Sequence, residues 1–382
     1  MLKKELRIAL AMMGVIAPFA AQADHSMSST SGQPAYTAGE MLRTGDLPGA
    51  YNQSANYKLD DSYDVYFTAD FIYWNLQQDL VRVGNVMTTD SSGALGLLEG
   101  SGETVFTDTK YTPGFQVGLG FNMKGMDDWN LYSEYTWYQN TNSHSAHTGD
   151  DQVIAIAYAQ EDAVAGITHD VVVAESATIK SKYHYNNLNL SIQRPFYFGR
   201  KLTANFGVGL RGLWFSQTVT NSADDLTSYH AGETTGIALG DDAGTSFHQK
   251  AWGLGPRFEF GTNWLFGWGF RMLADVAASV LYTRYTDLSG SVTGDVTHGV
   301  VAGLNTGISS NYNTLRAVTE TSLGLGWGSY FGDNNDFHFD LSASYEFNVY
   351  WNQNMLGMVI NEHGSPGNTY LHGLNVAARF DF

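Results

Sequence analysis

The sequence predicts an all-β protein: a transmembrane antiparallel up-and-down β-barrel of about ten strands, with short periplasmic turns and long extracellular loops. Three observations lead to this fold. Segments of alternating apolar and polar residues recur along the chain, the connections between them alternate in length, and tryptophan lies near segment ends. Alternation gives a strand one apolar and one polar face, as a barrel needs when lipid lies outside and water inside.

The first 23 residues have the pattern of a secretory signal peptide. Three basic residues precede an apolar run that is too short to span a bilayer and ends in the sequence AQA at 21–23. These three features together are typical of a cleaved export signal. We therefore expect cleavage after Ala23 and export to the bacterial outer membrane.

Residues 24–61 are rich in Ser and Gly and low in bulky aliphatic side chains. This composition favours a flexible periplasmic segment, and a plug inside the barrel is the alternative. The barrel is expected over residues 62–382. Because the chain has no cysteine, no disulfide network stabilises it.

Ten segments alternate strictly enough to be strands, and most are about 9 to 13 residues long, sufficient for a tilted strand to cross a bilayer. The clearest is FHFDLSASYEFNVY at 337–350, with Phe337 and Leu341 on one face and His338 on the other. The ten segments are 63–74, 113–122, 129–138, 185–193, 202–214, 252–261, 270–282, 315–327, 337–350 and 371–382.

The connections between these segments alternate between long and short. The short ones are 123–128, 194–201, 262–269 and 328–336, and the others are 75–112, 139–184, 215–251, 283–314 and 351–370. Short periplasmic turns and long external loops are typical of outer-membrane barrels. Two apolar stretches within a long connection, 152–159 and 170–177, leave a twelve-stranded alternative open.

Tryptophan is expected to form two aromatic girdles, one at each membrane interface, because its ring is apolar and its N–H is polar. One group lies at segment ends that face long connections: Trp74, Trp137, Trp214, Trp252 and Trp351. The other lies at ends that face short connections: Trp129, Trp264, Trp268 and Trp327.

The last segment ends in an aromatic residue, Phe382. A terminal aromatic after an alternating strand resembles the targeting signal of bacterial outer-membrane barrels. We therefore expect the barrel-assembly machinery to recognise this strand.

The polar face of the segments carries charges of both signs. They are Asp70, Glu134, Arg211, Arg257, Glu259, Arg271, Asp275, Arg316, Glu320, Asp340, Glu346, Arg379 and Asp381. Such residues line a water-filled pore and set its ion selectivity, or they form a salt-bridge network that fills a narrow barrel. Ten strands lie between filled and open barrels, so both interpretations stay open.

The net charge of −18 excludes nucleic acid as a natural partner. Acidic residues cluster in the long connections, with Asp224 and Asp225 in one of them. They suggest a preference for cations or contact with lipopolysaccharide through divalent ions, and plain solvation is the alternative. The other expected partners are outer-membrane lipid and small solutes or ions.

Patterns that suggest enzymes have weak support. The GVGLRG motif at 207–212 matches a dinucleotide fingerprint, but it continues into a strand pattern rather than opening a helix. His144, His147 and Asp150 suggest an omptin-like surface hydrolase, yet they lie within a connection instead of at strand ends. We therefore predict no enzymatic activity, no cofactor and no metal.

Five stretches of the chain are characteristic: ADFIYW at 69–74, YTPGFQVGLGF at 111–121, WGLGPRFEFGTNW at 252–264, YEFNVYWNQNM at 345–355 and GLNVAARFDF at 373–382. They resemble one family, the pore-forming major outer membrane proteins of the Legionella type and their relatives in environmental chlamydiae. The third and fourth stretches are the most specific. The resemblance implies a single-chain outer-membrane barrel that forms a pore and has no catalytic residues. Some members are cross-linked through cysteine, which this chain lacks.

Together these observations predict a porin-like protein for passive diffusion of small hydrophilic solutes or ions. A structural or adhesive barrel with a closed lumen is the first alternative and a surface hydrolase the second. Whether the barrel forms a homo-oligomer stays open.

Overall fold

The computed structural model describes residues 53–57, 59, 63–88, 103–124, 126–149, 152–156, 170–230, 237–294, 305–307, 312–332, 335–360 and 365–382. The proposed signal peptide and most of the segment 24–61 lie outside these ranges. In chain order the strands are β1 Val65–Gln78, β2 Arg82–Thr88, β3 Glu103–Phe106, β4 Tyr111–Met123, β5 Trp129–His147, β6 Gln152–Ile156, β7 Asp170–Ala174, β8 Ser176–Tyr197, β9 Leu202–His230, β10 Ile237–Gly267, β11 Phe270–Gly294, β12 Asn305–Gly307, β13 Tyr312–Phe331, β14 Phe337–Asn354 and β15 Gly367–Asp381. Within the described ranges one short helix, α1, spans Leu356–Ile360.

Ten of these strands form a closed antiparallel ring. Its order is β10, β11, β13, β14, β15, β1, β4, β5, β8 and β9, and β9 pairs with β10 to close it. The predicted fold class is therefore confirmed. The twelve-stranded alternative is wrong, because β6 and β7 pair beside the ring in an extension with β2 and β3.

The chain crosses between ring strands at two ends, which we call the short-turn end and the long-loop end. At the short-turn end the connections are 124–128, 198–201, 268–269 and 332–336. This end also contains the start of β1 and the end of β15, where Val65 and Phe382 exchange backbone hydrogen bonds. In outer-membrane barrels, short turns lie on the periplasmic side.

Ring strands are longer than the sequence predicts. They run from 13 residues in β4 to 31 in β10, so the predicted long connections 139–184, 215–251 and 283–314 are partly strand. Trp137, Trp214 and Trp252 consequently lie within strands and not at their ends. No helix in the described part of the chain is long and apolar enough to cross a membrane.

The outer face near the short-turn end is apolar, as predicted. Phe71, Leu119 and Leu325 are exposed by 52%, 58% and 63% of their surface. Further along the strands, toward the long-loop end, apolar side chains lie inside the ring and polar side chains lie on its outer face. In β9, Val208 and Leu210 face outward, whereas Phe215 and Val219 are buried inside and Thr220 is exposed. Inversion of this kind is expected where a strand leaves lipid and its outer face meets water.

Candidate functional site

The predicted charged residues lie on the inner face of the ring. Eight of them line a cavity of about 240 Å³ near the middle of the barrel, which we call the central cavity. They are Asp70, Glu134, Arg211, Arg257, Glu259, Asp275, Glu320 and Glu346. Arg271 and Arg379 line a second cavity of about 400 Å³ at the short-turn end, and Arg316 and Asp340 are buried.

Both arginines of the central cavity are held in ion pairs. Arg211, only 1% exposed, places Nη2 2.6 Å from Glu320 Oε1. Arg257 pairs with Glu320 as well, and its Nε lies 3.2 Å from Glu259 Oε2. These residues come from β9, β10 and β13. Because β9, β10, β11 and β13 are consecutive in the ring, the network lies along one side of the barrel wall.

The amide of Asn375 joins acidic side chains of neighbouring strands. Its Nδ2 donates to Glu346 Oε1 at 2.8 Å, to Gln116 Oε1 at 3.1 Å and to Asp70 Oδ2 at 3.4 Å. Asn375 was not among the predicted residues, although the alternation of segment 371–382 places it on the polar face. One amide thereby brings two carboxyl groups to the same point of the cavity wall.

Inner-face glycines make room for these side chains. A Cβ atom at Gly207 would contact the carboxyl group of Glu259, and one at Gly118 would contact the Tyr132 hydroxyl. Both positions lie in strands β9 and β4, where the backbone needs no glycine for its own conformation. The GVGLRG match at 207–212 is therefore part of the barrel wall.

Charged residues at the short-turn end are also paired. The Arg271 guanidinium binds both carboxylate oxygens of Asp340, with Nη2 2.7 Å from Oδ1. Asp381 accepts from Arg379 Nη2 at 2.5 Å, and its other oxygen lies 3.1 Å from His338 Nδ1. The interior at this end is thus a set of neutralised pairs.

The N-terminal segment enters this end of the barrel. Tyr197 N donates to Gln53 O at 2.9 Å, Ala55 N donates to Pro195 O at 3.1 Å, and the amides of Asn56 and Asn130 bond each other in both directions. Next along the chain, the Tyr57 ring stacks on His338 with centroids 3.6 Å apart. This part of the predicted segment 24–61 therefore contacts the lumen directly.

An apolar cluster fills the interior toward the long-loop end. It includes Ile72, Trp74, Leu76, Tyr138, Ile179, Tyr183, Tyr185, Leu213, Phe215, Val219, Leu281, Tyr285, Val318, Tyr350, Met355, Leu356, Val359 and Leu371, and we call it the apolar cluster. Helix α1 contributes Leu356 and Val359, and Gln249 anchors the chain before it by accepting from Met355 N at 2.8 Å. The Tyr185 and Tyr350 hydroxyls meet at 2.5 Å where the cluster borders the central cavity.

The assignment of Trp74 to an aromatic girdle is wrong. Its side chain is 2% exposed and lies inside the barrel, because it has the same parity along β1 as Asp70 and Ile72. The remaining tryptophans are not buried: Trp214, Trp264 and Trp268 are exposed by 48%, 53% and 95%. Whether they mark membrane interfaces stays a prediction.

The residues suggested for a hydrolase are only partly described. His144 Nδ1 lies 2.8 Å from Asp108 Oδ1 on the exposed part of β5, while Asp150 lies outside the described residues. In the described ranges no group of three or more His, Asp or Glu side chains is arranged to hold a metal ion. The expectations of no catalysis and no metal stay predictions.

Sequence reasoning missed Tyr57, the Tyr185–Tyr350 contact and helix α1. Tyr57 precedes the first alternating segment and carries no pattern of its own. The sequence did contain a signal for the apolar interior toward the long-loop end. FIYWNL at 71–76 has apolar residues at consecutive positions, which indicates that both faces of the strand are removed from water.

A family model described as the Legionella pneumophila major outer membrane protein precursor matches residues 59–382. Among solved structures, the outer membrane protease OmpT of Escherichia coli is similar over 86% of this chain and 99% of its own, with 7% identity and a TM-score of 0.34. A FadL homologue of Pseudomonas aeruginosa is similar over 84% of this chain and 90% of its own, with 9% identity and a TM-score of 0.25. No curated protein sequence matches the chain.

Proposed function

We propose that this chain, which belongs to the Legionella pneumophila major outer membrane protein family and is a β-barrel of the bacterial outer membrane, forms a narrow pore for small ions and hydrophilic solutes. The observation that carries the proposal is the charged central cavity inside a closed ring of strands. Side chains of both signs stabilise water and ions inside a barrel, where lipid cannot. The proposal includes no catalytic role.

Passage would require the apolar cluster to move. Its members come from the inner faces of many strands and from α1, so the segment around α1 is the element that can shift without breaking the ring. The polar cavities lie on the short-turn side of the cluster. We therefore place the gate at the long-loop end.

Single-channel recording in planar bilayers tests this proposal. We expect discrete, small conductance steps from the purified protein. Replacing Tyr350 with Ala removes the contact to Tyr185 and should raise the conductance or the open time, whereas Phe347→Ala on the outer face should change neither. Absence of steps from both the natural protein and Tyr350→Ala would contradict the pore.

A structural barrel with a closed lumen is the second candidate, and the apolar cluster is the observation that favours it. A fully packed interior at one end excludes water and solutes. Liposome swelling separates the two candidates: sugars and amino acids should enter vesicles that contain a pore, and none should enter if the barrel is structural.

Interactions with lipopolysaccharide, the assembly machinery and further copies of the chain belong to the proposal too. Phe382 pairs through its backbone with Val65, which leaves its ring available on the outer face of the seam. Deleting Phe382 should reduce the amount of protein in the outer membrane, as measured by fractionation.

A further inference from the structure

The central cavity has more acidic groups than basic partners for them. Among the described residues that line it, Glu259 and Glu320 pair with the two arginines. Asp70, Glu134 and Glu346 have no Lys, Arg or His of the described chain within ion-pair distance, and their described contacts are hydrogen bonds from Asn375, Asn189 and Tyr132. An ionised carboxylate that is buried without a counter-charge is costly, so a positive charge in the cavity would be stabilised.

The same wall also has acceptor oxygens without donors. Asn187 and Asn375 are 2% and 5% exposed, and the Oδ1 atom of each has no hydrogen-bond partner in the described structure. The Asp70 Oδ1 atom is likewise unpartnered. All three residues line the central cavity. A buried acceptor left unpaired costs about 1–3 kcal/mol, so a ligand with several N–H donors complements this wall.

Two aromatic side chains complete the wall. Trp74 and Tyr185 line the central cavity where it meets the apolar cluster. Aromatic rings beside carboxylates are the surroundings that favour an organic ammonium ion, because the ring attracts the charge and also contacts the alkyl part. The volume of about 240 Å³ accommodates a cation of a few heavy atoms.

We propose that the central cavity is a binding site for a small organic ammonium ion. Asp70 and Glu346 supply the counter-charge, the Oδ1 atoms of Asn187 and Asn375 accept N–H donors, and Trp74 contacts the alkyl group. This inference goes beyond conduction and depends on the cavity, so it holds for a pore and for a closed barrel alike.

Isothermal titration calorimetry on the full, refolded protein in detergent micelles tests the site with ethylammonium chloride as the probe. We expect saturable binding of ethylammonium, no binding of its neutral isostere ethanol, and at least tenfold weaker binding of sodium chloride at matched ionic strength. No saturable heat with ethylammonium, or equal binding of ethanol or sodium, would overturn the proposal.

Variants locate the site. Glu346→Gln and Asp70→Asn should each weaken ethylammonium binding at least tenfold, and Glu175→Gln, an exposed position between β7 and β8, should leave it unchanged. Binding that survives both cavity substitutions would overturn the assignment. If a cavity variant fails to refold, the comparison of ethylammonium with ethanol and sodium on the natural protein still decides. Conductance without ethylammonium binding would contradict this inference alone, and binding without conductance would contradict the pore alone.

Discussion

The two halves of the barrel interior are stabilised by different chemistry. Toward the short-turn end, the inner face carries ion pairs and amides around open space, as in the Arg211–Glu320 and Arg271–Asp340 pairs. Toward the long-loop end, the inner face carries buried apolar and aromatic side chains. A single strand shows the change, because the inner face of β1 passes from Asp70 to Ile72 and Trp74.

This difference follows from what lies outside each half. Where the outer face contacts lipid, apolar residues must point outward, and polar residues are left for the interior. Where the strands extend beyond the lipid, water meets the outer face and the interior becomes the core of a water-soluble sheet. At the boundary both faces are apolar, since Phe71 and Tyr73 are exposed on the outside of β1 while Ile72 is buried inside. Beyond this level the long-loop end packs as the core of a water-soluble sheet, and on the other side of it the strands follow the rules of membrane barrels.

The largest loss of stability is expected from the ion-pair network that lines the central cavity. Arg211→Met leaves Glu320 with one arginine instead of two in a buried network, so we expect a loss of about 3–5 kcal/mol in the free energy of unfolding. Urea titration in lipid vesicles, followed by tryptophan fluorescence, measures it. The control Arg200→Met removes an exposed arginine from the turn 198–201 and should change stability by less than about 0.5 kcal/mol. Equal losses would mean that the network contributes little.

A cavity in the apolar cluster should lower the free energy of unfolding by almost as much. Leu213 is fully buried in the apolar cluster, and Leu213→Ala should lower the free energy of unfolding by about 2–5 kcal/mol in the same assay. Leu210→Ala is the matched control on the outer face of the same strand, where the side chain is 53% exposed and lipid can fill the space. If Leu210→Ala is the more costly change, the long-loop half does not pack as a core.

The third prediction compares the two faces of one strand. Leu323 is exposed on the outer face of β13, so Leu323→Arg places a charge in lipid and should cost about 2–4 kcal/mol. Ser322 faces the interior and donates to Asp275 Oδ2 at 3.0 Å, so Ser322→Arg gains an acidic neighbour and should cost less. The reverse order of the two losses would contradict the assignment of faces.

The smallest effect is expected at the boundary of the halves. Tyr350→Phe leaves the buried Tyr185 hydroxyl without its partner and should cost about 0.5–1.5 kcal/mol. Tyr73→Phe, on the exposed outer face, serves as the control and should be neutral within about 0.5 kcal/mol. A neutral Tyr350→Phe would show that the hydroxyl contact is dispensable.

Most of the ring could be predicted from the sequence because lipid forces alternation. Each of the ten segments became a ring strand, and the charged residues of their polar faces lie inside. The prediction of strand bounds failed where the outer face of a strand is no longer apolar. Beyond Leu213 in β9, Phe215 and Val219 are inside while Thr220 is outside, so a pattern read as a loop was a strand with its faces exchanged.

The candidate site was predictable in composition but not in pairing. Alternation alone identifies Arg211, Arg257 and Glu320 as interior residues, yet the hydrogen-bond register between strands decides which of them meet. The assignment of Trp74 to a girdle was wrong because only its position at the end of a segment was considered. Its place in the alternation of β1 puts the side chain on the inner face, where it is buried. Tyr57 reaches the lumen from outside the strands, where no periodicity exists to reveal it.

The seam between β1 and β15 has a consequence for the order of events in biogenesis. The first ring strand pairs with the last along thirteen residue pairs, and Val65 and Phe382 bond each other reciprocally. The ring cannot close until the whole chain has crossed the inner membrane, so this contact must come late and slowly, since it joins residues far apart in sequence. Until β15 is in place, one edge of β1 has no ring strand to pair with.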